Sequence, residues 1–137
     1  MVRQILLIDD NPQDRVLAEE AFEQVCADCH LLTQPSGPEA LEYLKNTTVL
    51  PDVLLLDVNM PGMNGFEVLA ALKSDPRLAL IPVVMLSTSQ SQEDVARSYT
   101  LHASSYLVKA PSFGGFLAQI EAFLSYWQVN RVVGTSS

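Results

Sequence analysis

The sequence predicts an open α/β fold: one five-stranded parallel sheet, doubly wound by helices in a (βα)5 order. Three observations carry this. Five short apolar runs, Gln4–Ile8, His30–Thr33, Val53–Leu56, Val83–Leu86 and Ser105–Val108, recur along the chain. A segment of helical periodicity follows each of them. The connections are short. Brief, nearly continuous apolar runs suit strands buried on both faces of a parallel sheet. Their alternation with helices implies right-handed crossovers in a single layered domain.

The elements follow in order. After the first run, Asn11-Pro12 supplies an N-cap and a proline at the first helical position. Leu17, Ala21, Phe22 and Val25 then fall on one face of the first helix. The second helix opens on Ser36 with Glu39 three residues on, a capping-box spacing. Pro51 precedes the third strand. Asn64 and Glu67 repeat the capping spacing at the third helix, which Pro76 ends. Ser91 and Asp94 open the fourth helix. The last carries Phe116, Ile120, Phe123 and Trp127 at helical spacing, a core-facing stripe. No repeat or linker interrupts the chain. Residues 1–129 are expected to form one domain and 130–137 a mobile C-terminal tail.

Composition bounds the function. The 137 residues are 48% apolar, enough for a core that needs neither disulfide nor metal to fold. Eight basic against 16 acidic residues give a net charge of −8, which argues against a nucleic-acid surface and suits a site that collects a divalent cation. The apolar start is four residues long and runs straight into two aspartates, unlike a signal peptide. No apolar run approaches the roughly 20 residues of a membrane span. The expectation is a cytoplasmic chain without membrane or nucleic-acid partners. Cys26 and Cys29 form a lone C-x-x-C beside His30. Zinc would need four ligands, and the other histidine, His102, is far along the chain. A redox pair would be expected at a strand-to-helix turn, whereas this one closes a helix and opens a strand. The expectation is two ordinary, partly buried thiols.

In open α/β sheets, ligands bind outside the carboxyl ends of the strands. Those ends carry Asp9 and Asp10 on the first strand, Asp57 on the third, Ser87 and Thr88 on the fourth, and Lys109 on the fifth. Any one of these alone would be an ordinary cap or turn residue; their convergence on one edge is what counts. Three crowded carboxylates repel, and one of them should have its pKa raised. A hard cation relieves this, and all-oxygen ligands select Mg²⁺, Ca²⁺ or Mn²⁺, with Mg²⁺ favoured where a phosphate oxygen is a further ligand. Lys109 adds a point charge for a phosphoryl oxygen or for Asp57, and Ser87 adds a hydroxyl. Together these groups fit transfer of a phosphoryl group to a carboxylate.

Four segments carry a family resemblance. They are Ile5-Leu-Leu-Ile-Asp-Asp-Asn11, Leu56-Asp-Val-Asn-Met-Pro-Gly-Met-Asn-Gly65, Val83-Val-Met-Leu-Ser87 and Tyr106-Leu-Val-Lys109. In this order and spacing they resemble the response-regulator receiver domains of two-component phosphorelays, over residues 3 to about 128. The resemblance implies the flavodoxin-like receiver fold and a non-enzymatic role: a histidine kinase donates a phosphoryl group, and the domain signals by changing shape. Asp57 would be the phosphoacceptor. Asp10, Asp57 and the backbone carbonyl of Asn59 would bind Mg²⁺ directly, and Asp9 through water. Ser87 and Lys109 would hold the phosphoryl group, Thr88 would flank the entry, and Tyr106 would be the aromatic switch. Pro61 and Gly62 would shape the acceptor loop, with Gly65 allowing close approach. Ser87-Thr-Ser89 and the aromatic C-terminal extension are most like single-domain regulators associated with bacterial and cyanobacterial phytochromes, so the kinase could be a phytochrome. Two positions depart from the pattern. Ser87 stands where threonine is commoner, and Ala110 stands where the family usually has a cis proline, with Pro111 one residue late.

Two rivals share the strand logic. A phosphoaspartate-type phosphatase would keep an acid two residues after its nucleophile, where this chain has Asn59. A flavin-binding module would follow its first strand with a Ser-, Thr- and Gly-rich phosphate loop, where this chain has Asp9-Asp10-Asn11-Pro12. Tyr126, Val129, Val132 and Val133 lie off the core stripe of the last helix or beyond its expected end. Exposed together they would make an apolar patch, and a two-fold homodimer through the C-terminal helix region is expected to cover it.

Overall fold

A computed structural model describes residues 4–26, 28–88 and 91–136, with side chains described as far as Tyr126. Five strands and five helices alternate: β1 (Gln4–Ile8), α1 (Pro12–Val25), β2 (His30–Gln34), α2 (Gly37–Asn46), β3 (Val53–Asp57), α3 (Gly65–Ser74), β4 (Val83–Ser87), α4 (Gln92–Thr100), β5 (Ser105–Val108) and α5 (Phe113–Ser136). All strands are parallel, in the order β2-β1-β3-β4-β5. The doubly wound (βα)5 fold is therefore the one expected. α5 stays helical past residue 129, where a tail was expected to begin. The side chains of Trp127, Val129, Val132 and Val133 lie outside the described residues.

The helix starts follow the capping chemistry read from the sequence. Asn11 Oδ1 accepts from the amides of Gln13 and Asp14, with Pro12 at the first position. Ser36 Oγ accepts from Glu39 N and Ser91 Oγ from Asp94 N. Asn64 and Glu67 form a reciprocal box, each side chain bonded to the other's amide. Such a cap is worth roughly 0.5–2 kcal/mol.

Strand alternation sends side chains to two cores. Leu6, Ile8, Leu54, Leu56, Val83 and Met85 pack on one face with Leu44 of α2 and Phe66, Leu69 and Leu72 of α3. Ile5, Leu7, Leu55, Val84 and Leu86 pack on the other with Phe22 of α1 and Ile120, Phe123 and Leu124 of α5. Burying each large side chain stabilises by roughly 1.5–3 kcal/mol. β3 and β4 are buried throughout, whereas the edge strands β2 and β5 are largely half-buried or exposed. The stripe on α1 is offset from expectation. Ala18 is buried with Ala21 and Phe22, and Leu17 turns outward at 39% exposure.

One expectation is overturned. Cys26 and Cys29 are joined in a disulfide rather than standing as separate thiols. Their Cα atoms lie 5.4 Å apart, within the range a disulfide spans. Cys26 caps the C-terminus of α1, its amide donating to Phe22 O, and Cys29 N donates to Cys26 O, so the turn between them brings the two residues together. Among the described residues no helix is long and apolar enough to cross a membrane.

A candidate phosphoacceptor and metal site

Four strand ends build the site. β1 runs into Asp9, which is 1% exposed. Its Oδ1 accepts from Asn11 N at 2.9 Å and its Oδ2 from Lys109 Nζ at 3.0 Å, while Arg15 Nη1 donates to its carbonyl at 2.7 Å. Asp10, the next residue, is half-buried. β3 ends on Asp57, 7% exposed, whose Oδ1 accepts from Asn59 N at 3.1 Å. β4 ends on the fully buried Ser87, whose Oγ accepts from Asn59 Nδ2 at 3.3 Å. The ladder continues past β5, with Lys109 N donating to Ser87 O at 2.8 Å.

Asp9, Asp10 and Asp57 each offer a carboxylate oxygen, all within 4.8 Å of one another. That donor set is hard and anionic, and it fits a divalent cation of the Mg²⁺ type. Lys109 Nζ bridges Asp9 and Asp14 at 3.0 and 3.2 Å, and among the described residues no salt bridge reaches Asp57. The pKa of Asp57 is pushed up to about 7 by burial first, with Asp9 and Asp10 adding to it; Lys109 and the Asn59 amide oppose. Burial alone would lower the pKa of Lys109, but Asp9, Asp57 and Asp14 outweigh it and the net shift is upward.

The acceptor loop is shaped by two glycines. Gly62 takes a positive φ of 76°, a region that disfavours a side chain. A Cβ on Gly65 would collide with Asp57 O and lie 2.8 Å from Val58 Cα, so α3 starts directly against the backbone of the acceptor. Thr88, next after Ser87, is exposed. Tyr106 is half-buried on β5, level with Met85, and packs against the core on the α3 side.

Sequence reasoning missed three contributors. Asp14, on the first turn of α1, holds Lys109; nothing at residue 14 signals a partner 95 positions away. Arg15 holds the backbone of Asp9. Gln119 of α5 grips both sides of the lysine, its Oε1 accepting from Ala110 N at 3.0 Å and its Nε2 donating to Val108 O at 2.6 Å. The missing proline at residue 110 was the available signal for Gln119, because only a non-proline residue has that N–H to give. The bond before Ala110 is trans, as are all described peptide bonds.

Residues 5–121 match the response regulator receiver domain family. The chain is a response regulator receiver domain. It belongs to two-component signalling, and its relatives include single-domain regulators. Response regulator Rcp1 of Synechocystis sp. is 34% identical over 128 residues, covering 90% of this chain and 87% of that protein. A probable methanogenesis regulatory protein, FilR2 of Methanothrix harundinacea, is 38% identical over 127 residues, covering 90% of this chain and 82% of that one. Among solved structures, the phosphorylated cyanobacterial phytochrome response regulator RcpA superposes with a TM-score of 0.86 at 35% identity, covering 93% of this chain and 95% of that one. Rcp1 has also been solved in a Mn²⁺-bound form, with a TM-score of 0.82 at 34% identity, covering 91% of this chain and 94% of that one. The receiver fold read from the sequence is the fold these relatives share.

Proposed function

We propose that Asp57 of this receiver domain takes a phosphoryl group from a sensor histidine kinase and that the domain signals by the change of shape that follows. The observation that carries the reading is the gathering of Asp9, Asp10 and Asp57 oxygens within 4.8 Å beside Lys109. Asp10, Asp57 and the carbonyl of Asn59 would hold Mg²⁺ directly and Asp9 through water. When bound, the ion supplies positive charge shared between the carboxylates and the incoming phosphoryl oxygens. A carboxylate oxygen of Asp57 attacks phosphorus; the O–P bond forms as the N–P bond to the donor imidazole breaks, and the imidazole leaves. Asn59 N orients the Asp57 carboxyl through Oδ1. Lys109 is positioned to move from its carboxylate partners to a phosphoryl oxygen, and the Ser87 hydroxyl to leave Asn59 for another. Thr88 flanks the entry. As Ser87 is drawn toward Asp57, Tyr106 turns into the space released.

The likeness to RcpA, a cyanobacterial phytochrome response regulator, supports a phytochrome-type histidine kinase as the donor. The functional unit is residues 1–129 in the cytoplasm, with 130–136 carrying α5 on beyond it, and a homodimer forms through the α5 region. Tyr126, 62% exposed beside the inward Ile120, Phe123 and Leu124, supports that surface. No general acid is supplied at residue 59, where Asn59 instead bonds Ser87, which favours a lasting acyl phosphate over phosphatase turnover. Intact mass after incubation with acetyl phosphate and Mg²⁺ tests the assignment. One phosphoryl group should be gained, but not when Mg²⁺ is chelated beforehand and not in Asp57→Asn; undiminished labelling of that variant overturns it.

A further inference from the structure

The Cys26–Cys29 disulfide stands at the end of α1 opposite to Asn11 and Asp14, away from the phosphoacceptor. Both residues are half-buried, and both pack against the hydrophobic cluster shared by α1 and α5. Cys26 also lines a cavity of about 440 Å³ between these two helices, with Leu117, Glu121, Leu124 and Ser125 on the α5 side. Among the described residues Cys26, and not Cys29, lines it, so a thiolate entering this cavity comes to Cys26 first.

The ring closed by the disulfide is short, the two residues being 3 apart in sequence. A short ring removes less freedom from the unfolded chain than a long one, so the disulfide adds less to folding than a long-range link would. By the same linkage, folding protects it from reduction less than it would protect such a link. The two buried clusters give the domain a core that does not depend on this link.

We infer that Cys26 and Cys29 form a thiol–disulfide exchange site, with Cys26 the attacked sulfur, whose co-reactant is a low-molecular-weight thiol or a dithiol protein. In the reducing direction a thiolate attacks Cys26 Sγ. A mixed disulfide forms, the Cys26–Cys29 bond breaks, and Cys29 leaves as a thiolate that takes up a proton. A second thiolate attacks the outer sulfur of the mixed disulfide and releases Cys26, which is protonated in turn. Two electrons and two protons pass to the pair, and the two thiols leave as one disulfide. The closed pair fixes the cap of α1 and one wall of the α1–α5 cavity; the open pair frees both.

The full chain, equilibrated with mixtures of reduced and oxidised glutathione, is quenched with an alkylating agent and weighed intact. The doubly alkylated fraction should rise through one reversible two-electron transition, with the same midpoint approached from either side and without denaturant. With oxidised glutathione at a pH where both thiols are fully ionised, so that access is the chief difference, Cys29→Ser should collect a mixed disulfide on Cys26 about ten times faster than Cys26→Ser collects one on Cys29. Hydrogen exchange at the Cys26 amide, which caps α1 by donating to Phe22 O at 2.8 Å, should quicken on reduction. A bond that opens only in denaturant, or thiols that never pair at any glutathione ratio, would falsify the exchange site. Equal or reversed rates in the two variants overturn Cys26 as the attacked sulfur, and unmoved exchange overturns the effect on the cap.

Discussion

Asp57 sits where burial and two like charges make ionisation costly, and its pKa of about 7 against an ordinary 3.8 records that cost. A raised carboxyl pKa stabilises the folded state while the proton stays on, fully below pH 3.8, and this contribution is lost as pH rises through about 7. Without metal, the melting temperature should therefore fall from pH 5 to pH 8. Asp57→Asn keeps the shape without the charge. It should flatten that slope and melt higher than the parent at pH 8, by roughly 2–8 °C; identical slopes by calorimetry would show that the carboxyl ionises freely. Mg²⁺ needs the carboxylate, so its affinity should rise with pH over the same window. Ser87 belongs to the same scale. Its hydroxyl accepts from Asn59 Nδ2 in a fully buried position, and Ser87→Ala removes the group that would report phosphorylation. That variant should still gain a phosphoryl group by mass yet lose the phosphorylation dependence of partner or self-association. An unchanged dependence would disconnect Ser87 from the switch.

Between elements, the join of β5 to α5 rests on Gln119 rather than on a proline. Ala110→Pro deletes the N–H that Gln119 Oε1 accepts. It should destabilise by about 1–3 kcal/mol in urea titration, the cost of a polar group left unsatisfied in a partly buried place; a neutral outcome would mean that Gln119 finds water as readily. This join shows where sequence reading stops. The capping residues Asn11, Ser36, Asn64 and Ser91 were legible because each acts on an amide two or three residues away. Asp9, Asp10, Asp57, Ser87 and Lys109 were legible as a group because parallel strands bring their carboxyl ends to one edge. Asp14 and Gln119 were not, since their targets are set by how α1 and α5 lie across the sheet. The outward turn of Leu17 was missed for a related reason: α1 presents the smaller Ala18 to the sheet, and helical spacing alone did not fix which side of the stripe lies deepest.

At the scale of the molecule, a chain of net charge −8 gathers the carboxylates of Asp9, Asp10, Asp14 and Asp57 near one lysine, a setting that suits a cation. α5 runs to Ser136 with Tyr126 exposed on it. Sedimentation of the full chain against a version ending at Tyr126 should show a dimer for the first and a monomer for the second at tens of micromolar. Two monomers, with and without a phosphoryl mimic, would rule the dimer out. The two cores have a consequence of their own. The acceptor loop leads through Val58, Met60 and Phe66 into the core on the α2–α3 face, while Phe113 and Phe116, beyond Lys109, pack into the core on the α1–α5 face. Under the proposed function, a phosphoryl group on Asp57 would bear on two cores, one on each face of the sheet. The same event would then be felt on both faces of the domain, and a substitution confined to one core would leave the route through the other in place.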